Sequence, residues 1–142
     1  MSVSFELLLA SPVDIQNPAD IPFDAPDTLI TQILDPVTVA VLDTIVTGKA
    51  FEDSLADYDQ PFFEGGEEGP FIYHVPENLV YTLANLDDDG LANSAHAWYN
   101  TEEIQGLEEV DERFIYGLLQ DMCALAHQAL RSDRALVLRC FL

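Results

Sequence analysis

Basic side chains are almost absent from this chain, and their distribution is uneven. Five Lys or Arg stand against 26 Asp or Glu among 142 residues, which gives a formal net charge of −21. Residues 1–112 hold 24 of the acids and a single base, Lys49. A field of this sign repels nucleic acid and anionic membrane surfaces and attracts cationic partners, although it does not determine a fold. We therefore expect a basic protein partner, no nucleic-acid partner and no membrane partner.

Long apolar runs and cysteines are also scarce. No stretch reaches the roughly 18 apolar residues that a membrane-spanning helix needs, and the first residues lack the basic and apolar regions of a signal peptide. Cys123 and Cys140 stand in apolar surroundings, which is typical of buried free thiols rather than of a disulfide framework. These absences predict a soluble, cytoplasmic protein, with a monomer and a homodimer both left open.

Hydrophobic residues, by contrast, are plentiful. They make up 49% of the chain and aromatic residues 10%, which is too rich for a disordered acidic tail. A chain of this length suits one domain, which buries roughly 70% of the surface that the unfolded chain exposes. We predict a single acidic domain over residues 1–142. Its stability should rise with ionic strength, because salt screens the repulsion among its acids.

Local patterns predict both strands and helices. Strands are expected at residues 3–10, 71–75 and 135–142, and the last is so apolar that we expect it to be buried on both faces. Residues typical of helix starts and ends predict helices at 35–48, 51–58, 76–86, 91–99 and about 109–131, with a shorter helix at 27–34. Four prolines predict a long loop over residues 12–26, and residues 60–70 are interpreted as an acidic, flexible loop.

These elements together predict an α+β fold. The N-terminal and C-terminal strands are expected to pair near the middle of a small sheet, and several helices to pack against it. The longest helix carries an apolar stripe that includes Phe114, Leu118 and Leu130, and we expect this stripe to face the core.

Residues that would indicate catalysis are few and badly spaced. His74, His96 and His127 are far apart, and none has the His-Glu-x-x-His spacing of zinc ligands on one helical face. Neither a Cys-x-x-Cys pair nor a Gly-x-Ser-x-Gly nucleophile motif occurs. We therefore predict no catalytic residue, no metal ligand and no cofactor site. The abundance of acids makes any particular carboxylate pair uninformative about acid-base chemistry.

Two acidic segments imitate ligand sites without matching them. Asp87, Asp88 and Asp89 resemble the start of a calcium loop, but with Asp87 at position one, positions six and twelve hold Ala92 and Trp98 instead of Gly and Glu. We interpret these acids as a solvated helix end. The glycines of residues 65–69 resemble a phosphate loop, yet the two acids among them would repel phosphate.

Aromatic residues near the acids offer a better lead. An aromatic anchor rimmed by charge is the composition of a protein-binding patch. The candidate interaction surface consists of Phe62, Phe63, Glu64, Glu67, Glu68, Asp87, Asp88, Asp89, Trp98, Tyr99, Glu102 and Glu103. The competing interpretation places Trp98 and most Phe residues in the core and leaves the acids as a solvated face.

Several segments resemble a known group of proteins. They are the opening Met-Ser-Val-Ser-Phe-Glu-Leu, the residues Leu42 to Gly48, Gly69-Pro70 before Phe71-Ile-Tyr, a Pro-Glu helix start, Trp98 to Glu103, and a last helix that leads into an apolar C-terminal strand. Together they are similar to uncharacterised small bacterial proteins of the YfbM-like group. The resemblance implies a bacterial α+β domain and supplies no activity or catalytic residue. The proline-rich stretch after the first strand departs from that group.

Two functional hypotheses follow. The first is a non-catalytic acidic interaction or inhibitor domain, of the immunity type or a nucleic-acid mimic, that binds a basic partner. The second treats the acidity as an adaptation to salt or solubility, on a domain with an unrecognised enzymatic or metal-binding activity.

Overall fold

The two terminal strands lie side by side at the centre of the sheet, as the sequence predicts. The computed structural model describes residues 4–22 and 27–142, and Val3 of the predicted first strand lies outside them. The strands are β1 (Ser4–Ala10), β2 (Thr28–Thr31), β3 (Phe63–Glu64), β4 (Phe71–His74) and β5 (Ala135–Phe141). They form an antiparallel sheet in the order β2-β1-β5-β4-β3, with Leu7 opposite Leu138 at its centre.

Helices make up most of the remaining structure, which confirms the α+β fold. They are α1 (Pro12–Gln16), α2 (Pro36–Thr47), α3 (Phe51–Ala56), α4 (Glu77–Ala84), α5 (Asp88–Tyr99), α6 (Glu102–Gln105) and α7 (Glu112–Ser132). The predicted start of α2 is confirmed, because Asp35 accepts a hydrogen bond from the Thr38 amide at 2.7 Å. Gly48 ends the helix with φ of 77°, a conformation that glycine adopts without strain.

Strand β5 is buried on both faces, as predicted, because the sheet separates two apolar clusters. Leu136 and Leu138 point into the main core, which is built with α2, α4, α5 and α7. Val137 points to the opposite face and packs with Leu8 and Ile72. The sheet therefore has a thick helical layer on one side and a thin cover on the other.

A buried ion pair holds this thin cover. The Arg139 Nε donates to Glu6 Oε1 at 2.9 Å, across the central pair of strands. The same guanidinium donates to the backbone carbonyls of Ile21 and Pro22, at 2.9 and 3.0 Å. Both charged side chains are buried, so their mutual hydrogen bonds offset the cost of removing them from water. Arg139 is thus a structural cation.

Three predicted segments have a different structure. The proline-rich segment holds α1 and a 3₁₀ turn (Pro18–Asp20), because a proline at the first helical position sacrifices no helical hydrogen bond; residues 23–26 of the predicted loop lie outside the described part. The predicted helix at 27–34 is instead strand β2, paired with β1. The predicted flexible loop at 60–70 contains β3, and its turn is closed by the Gly65 amide donating to the Pro70 carbonyl at 2.8 Å.

Candidate functional site

Trp98 belongs to the interior, not to the surface. Its side chain is completely buried, and its indole N–H donates to the Thr38 carbonyl of α2 at 3.3 Å. Tyr99 is half-buried and packs against the same core. The structure therefore places the largest aromatic of the predicted interaction surface where no partner reaches it.

Phe62 and Phe63 lie on the other face of the sheet. The Phe62 ring stacks on His74 with 4.1 Å between ring centroids, and both phenylalanines pack against the smaller apolar cluster. Glu64, Glu67 and Glu68 of the same hairpin are exposed. The Leu142 amide donates to the Glu68 carbonyl at 2.9 Å, so the hairpin is tied to the end of β5.

Asp87, Asp88 and Asp89 stand at the start of α5. The sequence interpretation, which placed them at the end of the preceding helix, is wrong. Asp87 Oδ1 accepts a hydrogen bond from the Gly90 amide at 2.6 Å, and the next two acids occupy the first helical turn. All three are exposed. Carboxylates are favourable at this end of a helix because free amides and the helix dipole attract them.

Glu102 and Glu103 belong to the densest group of acids in the described structure. Residues 102–112, which we call the acidic connection, join α5 to α7 and contain six exposed carboxylates: Glu102, Glu103, Glu108, Glu109, Asp111 and Glu112. Asp111 caps α7 by accepting from the Phe114 amide at 2.8 Å. Glu112 contacts His96 Nδ1 near the end of α5, so the start of α7 lies beside the end of α5.

The twelve predicted residues therefore do not form one patch centred on an aromatic residue. Trp98 and Phe62 pack in clusters on opposite faces of the sheet. Asp88 and Glu102 lie at opposite ends of α5, whose 12 residues span about 18 Å. The exposed acids that do lie in one segment are those of the acidic connection, which adds four carboxylates to Glu102 and Glu103 of the predicted surface.

Most of the few cations do not face these acids. Arg139 is buried with Glu6, and Lys49 pairs with Asp57 and lies 3.9 Å from Asp43. The hydrogen bond from Lys49 to Asp57 raises the pKa of the ammonium group above its ordinary value. Arg113 lies in the first turn of α7, and Arg131 and Arg134 lie at the far end. The acidic surface of the described residues is largely uncompensated.

A groove that the sequence does not predict lies at that far end. It has a volume of about 720 Å³ and is bounded by the end of β1, α1, the start of α4 and the junction of α7 with β5. We call it the α4–α7 groove. Its apolar lining includes Ile15, Val80, Tyr81 and Leu130, and its charged lining includes Glu77, Asp133 and Arg134.

Two of the groove's apolar side chains are strongly exposed. Tyr81 is 62% exposed and Leu130 is 49% exposed. The prediction that Leu130 faces the core is wrong, and so is that for Phe114, which is 48% exposed on the same helix. An apolar stripe of helical period marks one broad face, and residues at its margins reach solvent when the core is narrower than the stripe.

The interior offers no activated nucleophile among the described cysteines. Burial raises the pKa of the Cys123 thiol to about 11 and that of Cys140 to about 12. A thiol with such a pKa is almost wholly protonated at neutral pH and is a poor nucleophile.

Other kinds of site were sought in the described part of the chain. Within residues 4–22 and 27–142, no group of three or more His, Cys, Asp or Glu is placed to hold a metal ion. Over the same residues, every helix is too short or too polar to cross a membrane. Comparison with protein-family models, with curated proteins and with solved structures finds no match. The resemblance to the YfbM-like group therefore stays a prediction.

Proposed function

We propose that this protein is a non-catalytic acidic interaction domain that binds a basic protein, in the manner of an inhibitor or a nucleic-acid mimic. The observation that carries the proposal is the acidic connection: six exposed carboxylates in eleven residues, on a chain of net charge −21. Among the described ion pairs these acids contact only His96, through Glu112, and the neighbouring cation in the chain is Arg113.

The placement of these acids supports binding more than stability. Asp111 has a structural task as the cap of α7, but Glu102, Glu103, Glu108 and Glu109 are exposed and belong to none of the ion pairs found among the described residues. Like charges in one short segment repel one another, and a pair 4 Å apart in water does so by about 1 kcal/mol. A cationic partner would relieve that repulsion and would be steered to the site by the long-range field.

A charge-matched pair of variants tests the proposal. One variant carries glutamine at Glu102, Glu103, Glu108 and Glu109. The control carries the corresponding amides at Glu52, Asp53, Asp59 and Asp121, which are also exposed. Both remove four charges, so only the position of the change differs. Association with a linker histone, a basic ribonuclease and a basic deoxyribonuclease is measured over a KCl series, together with inhibition of the two nucleases.

We expect the first variant to bind about tenfold more weakly than the parent at low salt and to show a shallower salt dependence, because it removes the charges that would pair with the partner across the interface. The control should lose much less affinity. Equal losses in the two variants would mean that only net charge matters. If none of the basic proteins binds even at low salt, the proposal is wrong.

A further inference from the structure

We propose that a small pocket beside the start of α2 binds an arginine side chain of the basic partner protein. This inference rests on the proposed function, because it identifies a residue type by which that partner is held. The pocket has a volume of about 330 Å³ and is lined by residues of β1, β3, β4 and β5, by Pro36 of α2 and by the segment after α3. We call it the α2–β4 pocket. Its volume is near the lower limit of small-ligand sites, which suits a single side chain.

The register of four strands builds the floor of this pocket. Cys140 of β5 stands opposite Phe5 of β1 on one side and opposite Phe71 of β4 on the other, and Phe71 stands opposite Glu64 of β3. Directly opposed residues of neighbouring strands point to the same face of a sheet. Tyr73, two residues further along β4, points to this face as well. The floor therefore combines aromatic rings with one carboxylate.

The aromatic rings suit a planar cation. Phe71 and Tyr73 are half-buried, so part of each ring is open to a partner. The Tyr73 ring packs edge-on against the buried Tyr58, with 5.9 Å between ring centroids. The face of an aromatic ring attracts a cation, and the flat guanidinium of arginine can also stack on it. A lysine ammonium lacks such a plane and is more strongly hydrated, so the floor favours arginine.

The charged groups of the pocket are acidic. Glu64 and Asp59 line it, and no Lys, Arg or His is among the described residues of the lining. Burial raises the pKa of both Tyr73 and Cys140; the Glu64 carboxylate raises that of Tyr73 further, and the Asp35 carboxylate raises that of Cys140 further. A cationic side chain is thus the favourable occupant, because these charges attract it and repel an anion.

The bases of the described chain do not balance these acids. Lys49 pairs with Asp57, and Arg139 is held in its buried ion pair. Arg139 directly precedes Cys140 in β5, so its side chain points to the opposite face of the sheet from the pocket. The other three arginines lie in α7 or just after it, outside the lining. Residues 57–68, which border the pocket, contain five acids and no base.

The pocket lies near the acidic connection. The hydrogen bond from the Trp98 indole to the Thr38 carbonyl joins the end of α5 to the first turn of α2. Pro36, which lines the pocket, is two residues before Thr38, and the acidic connection begins at Glu102, four residues after Trp98. One basic surface of a partner can therefore meet the acidic connection and place an arginine in the pocket.

Five-residue peptides with one variable central side chain probe the pocket in the full chain. The flanking residues are glycine, both ends are blocked, and the central residue is arginine, lysine or citrulline. Citrulline has the shape of arginine without its charge, whereas lysine has the charge without the planar group. Binding is measured at low salt by NMR titration, with the ring signals of Phe71 and Tyr73 as the readout specific to the site.

Three variants accompany the peptides. Glu64→Gln removes the carboxylate of the floor. Its control, Glu68→Gln, removes an equal charge from the same hairpin at an exposed residue outside the lining. Tyr73→Leu removes an aromatic ring and keeps an apolar side chain. Urea unfolding verifies that each variant is folded.

We expect the arginine peptide to bind about threefold more tightly than the lysine peptide and about tenfold more tightly than the citrulline peptide. Glu64→Gln should weaken binding of both cationic peptides about fivefold, and Glu68→Gln should weaken it less than about twofold. Tyr73→Leu should abolish the preference for arginine over lysine, because stacking is lost. Asp59 raises the pKa of neither Tyr73 nor Cys140, so Asp59→Asn should weaken binding less than about twofold.

Several results would overturn the inference. They are absence of binding by the arginine peptide, equal binding of the arginine and citrulline peptides, and equal effects of Glu64→Gln and Glu68→Gln. An arginine preference that survives in Tyr73→Leu would also overturn it. Failure of the proposed function is a separate result, because that function is tested with whole basic proteins and with variants of residues 102–112, none of which lines the pocket.

Discussion

Asp43 and Glu6 are buried acids in a chain whose described acids are mostly exposed, and their surroundings differ. Glu6 receives two hydrogen bonds from Arg139. Asp43 is 1% exposed; its Oδ1 accepts from the Thr47 hydroxyl at 2.9 Å, but its Oδ2 has no hydrogen-bond partner and lies 3.9 Å from the Lys49 ammonium. Burial raises the pKa of Asp43 above its ordinary value. The ionised form of Asp43 is therefore less favourable in the folded protein than in the unfolded chain.

Replacing Asp43 by asparagine should stabilise the protein at neutral pH. Asparagine has the same shape, can still accept from Thr47, and removes a buried charge that only the Lys49 ammonium, at 3.9 Å, partly offsets. We expect a gain of about 1 kcal/mol in the free energy of unfolding, the usual size of one unsatisfied polar interaction. Asp59→Asn, which changes net charge equally at an exposed position, is the control for urea unfolding.

The pH dependence of this gain checks its cause. Because the pKa of Asp43 is raised on folding, the folded protein binds a proton more tightly there, and stability falls as pH rises between the unfolded and folded pKa values. The advantage of Asp43→Asn should thus be full above the folded pKa and vanish below the ordinary pKa of aspartate. An advantage that is independent of pH, or a loss at neutral pH, would contradict this account.

At the scale of elements, the features that neighbouring residues determine and the pairing of the two terminal strands could be predicted, whereas the pairing that makes β2 a strand could not. The start of α2 at Asp35 and its end at Gly48 depend on neighbouring residues, so the sequence predicts them correctly. Strand β2 was predicted as a helix because its identity depends on pairing with β1, far away in the chain. Its β-branched residues Thr28, Ile30 and Thr31 fit a pleated strand and were the available indication.

The candidate site shows the same limit. The acids of residues 102–112 are visible in the sequence, as is Arg113 beside them, but the pairing of Lys49 and Arg139 with other acids depends on the fold. The α4–α7 groove is assembled from three separate segments of the chain. The apolar pattern of α4 leaves Tyr81 on the outer side of that helix. This position was the one indication in the sequence that an aromatic residue would be exposed near Leu130.

The acids at the start of α5 make different contributions to that helix. Asp87 caps it by accepting from the Gly90 amide, whereas Asp88 has no such bond. Asp87→Ala should therefore lower the free energy of unfolding by about 1 kcal/mol, the usual cost of losing such a cap. Asp88→Ala should cost roughly 0.5 kcal/mol or less, because it loses only the interaction with the helix dipole.

Thermal and urea unfolding of the two alanine variants compares them directly. Equal losses would show that the acids act through the dipole alone and that the hydrogen bond of Asp87 contributes little. Binding to the basic proteins should change little in either variant, since the proposed surface lies at the other end of α5.

For the whole molecule, net charge predicts how stability responds to salt. With 26 acids against five bases, repulsion is stronger in the compact state than in the expanded chain, and salt screens it over roughly 10 Å at 0.1 M. The free energy of unfolding by urea, which is itself uncharged, should therefore rise with KCl by about 1 kcal/mol or more. The buried Arg139–Glu6 pair should not counteract this rise, because salt screens buried pairs much less.

Comparing the binding and the salt response of the two charge-matched variants tests why the chain is acidic. If acidity is only an adaptation to salt, neutralising Glu102, Glu103, Glu108 and Glu109 should change binding no more than neutralising the four control acids. If the acidic connection is a binding surface, only its variant should lose affinity for basic proteins, while both variants gain stability at low salt. A chain whose stability is flat across the KCl series would contradict the repulsion on which both interpretations depend.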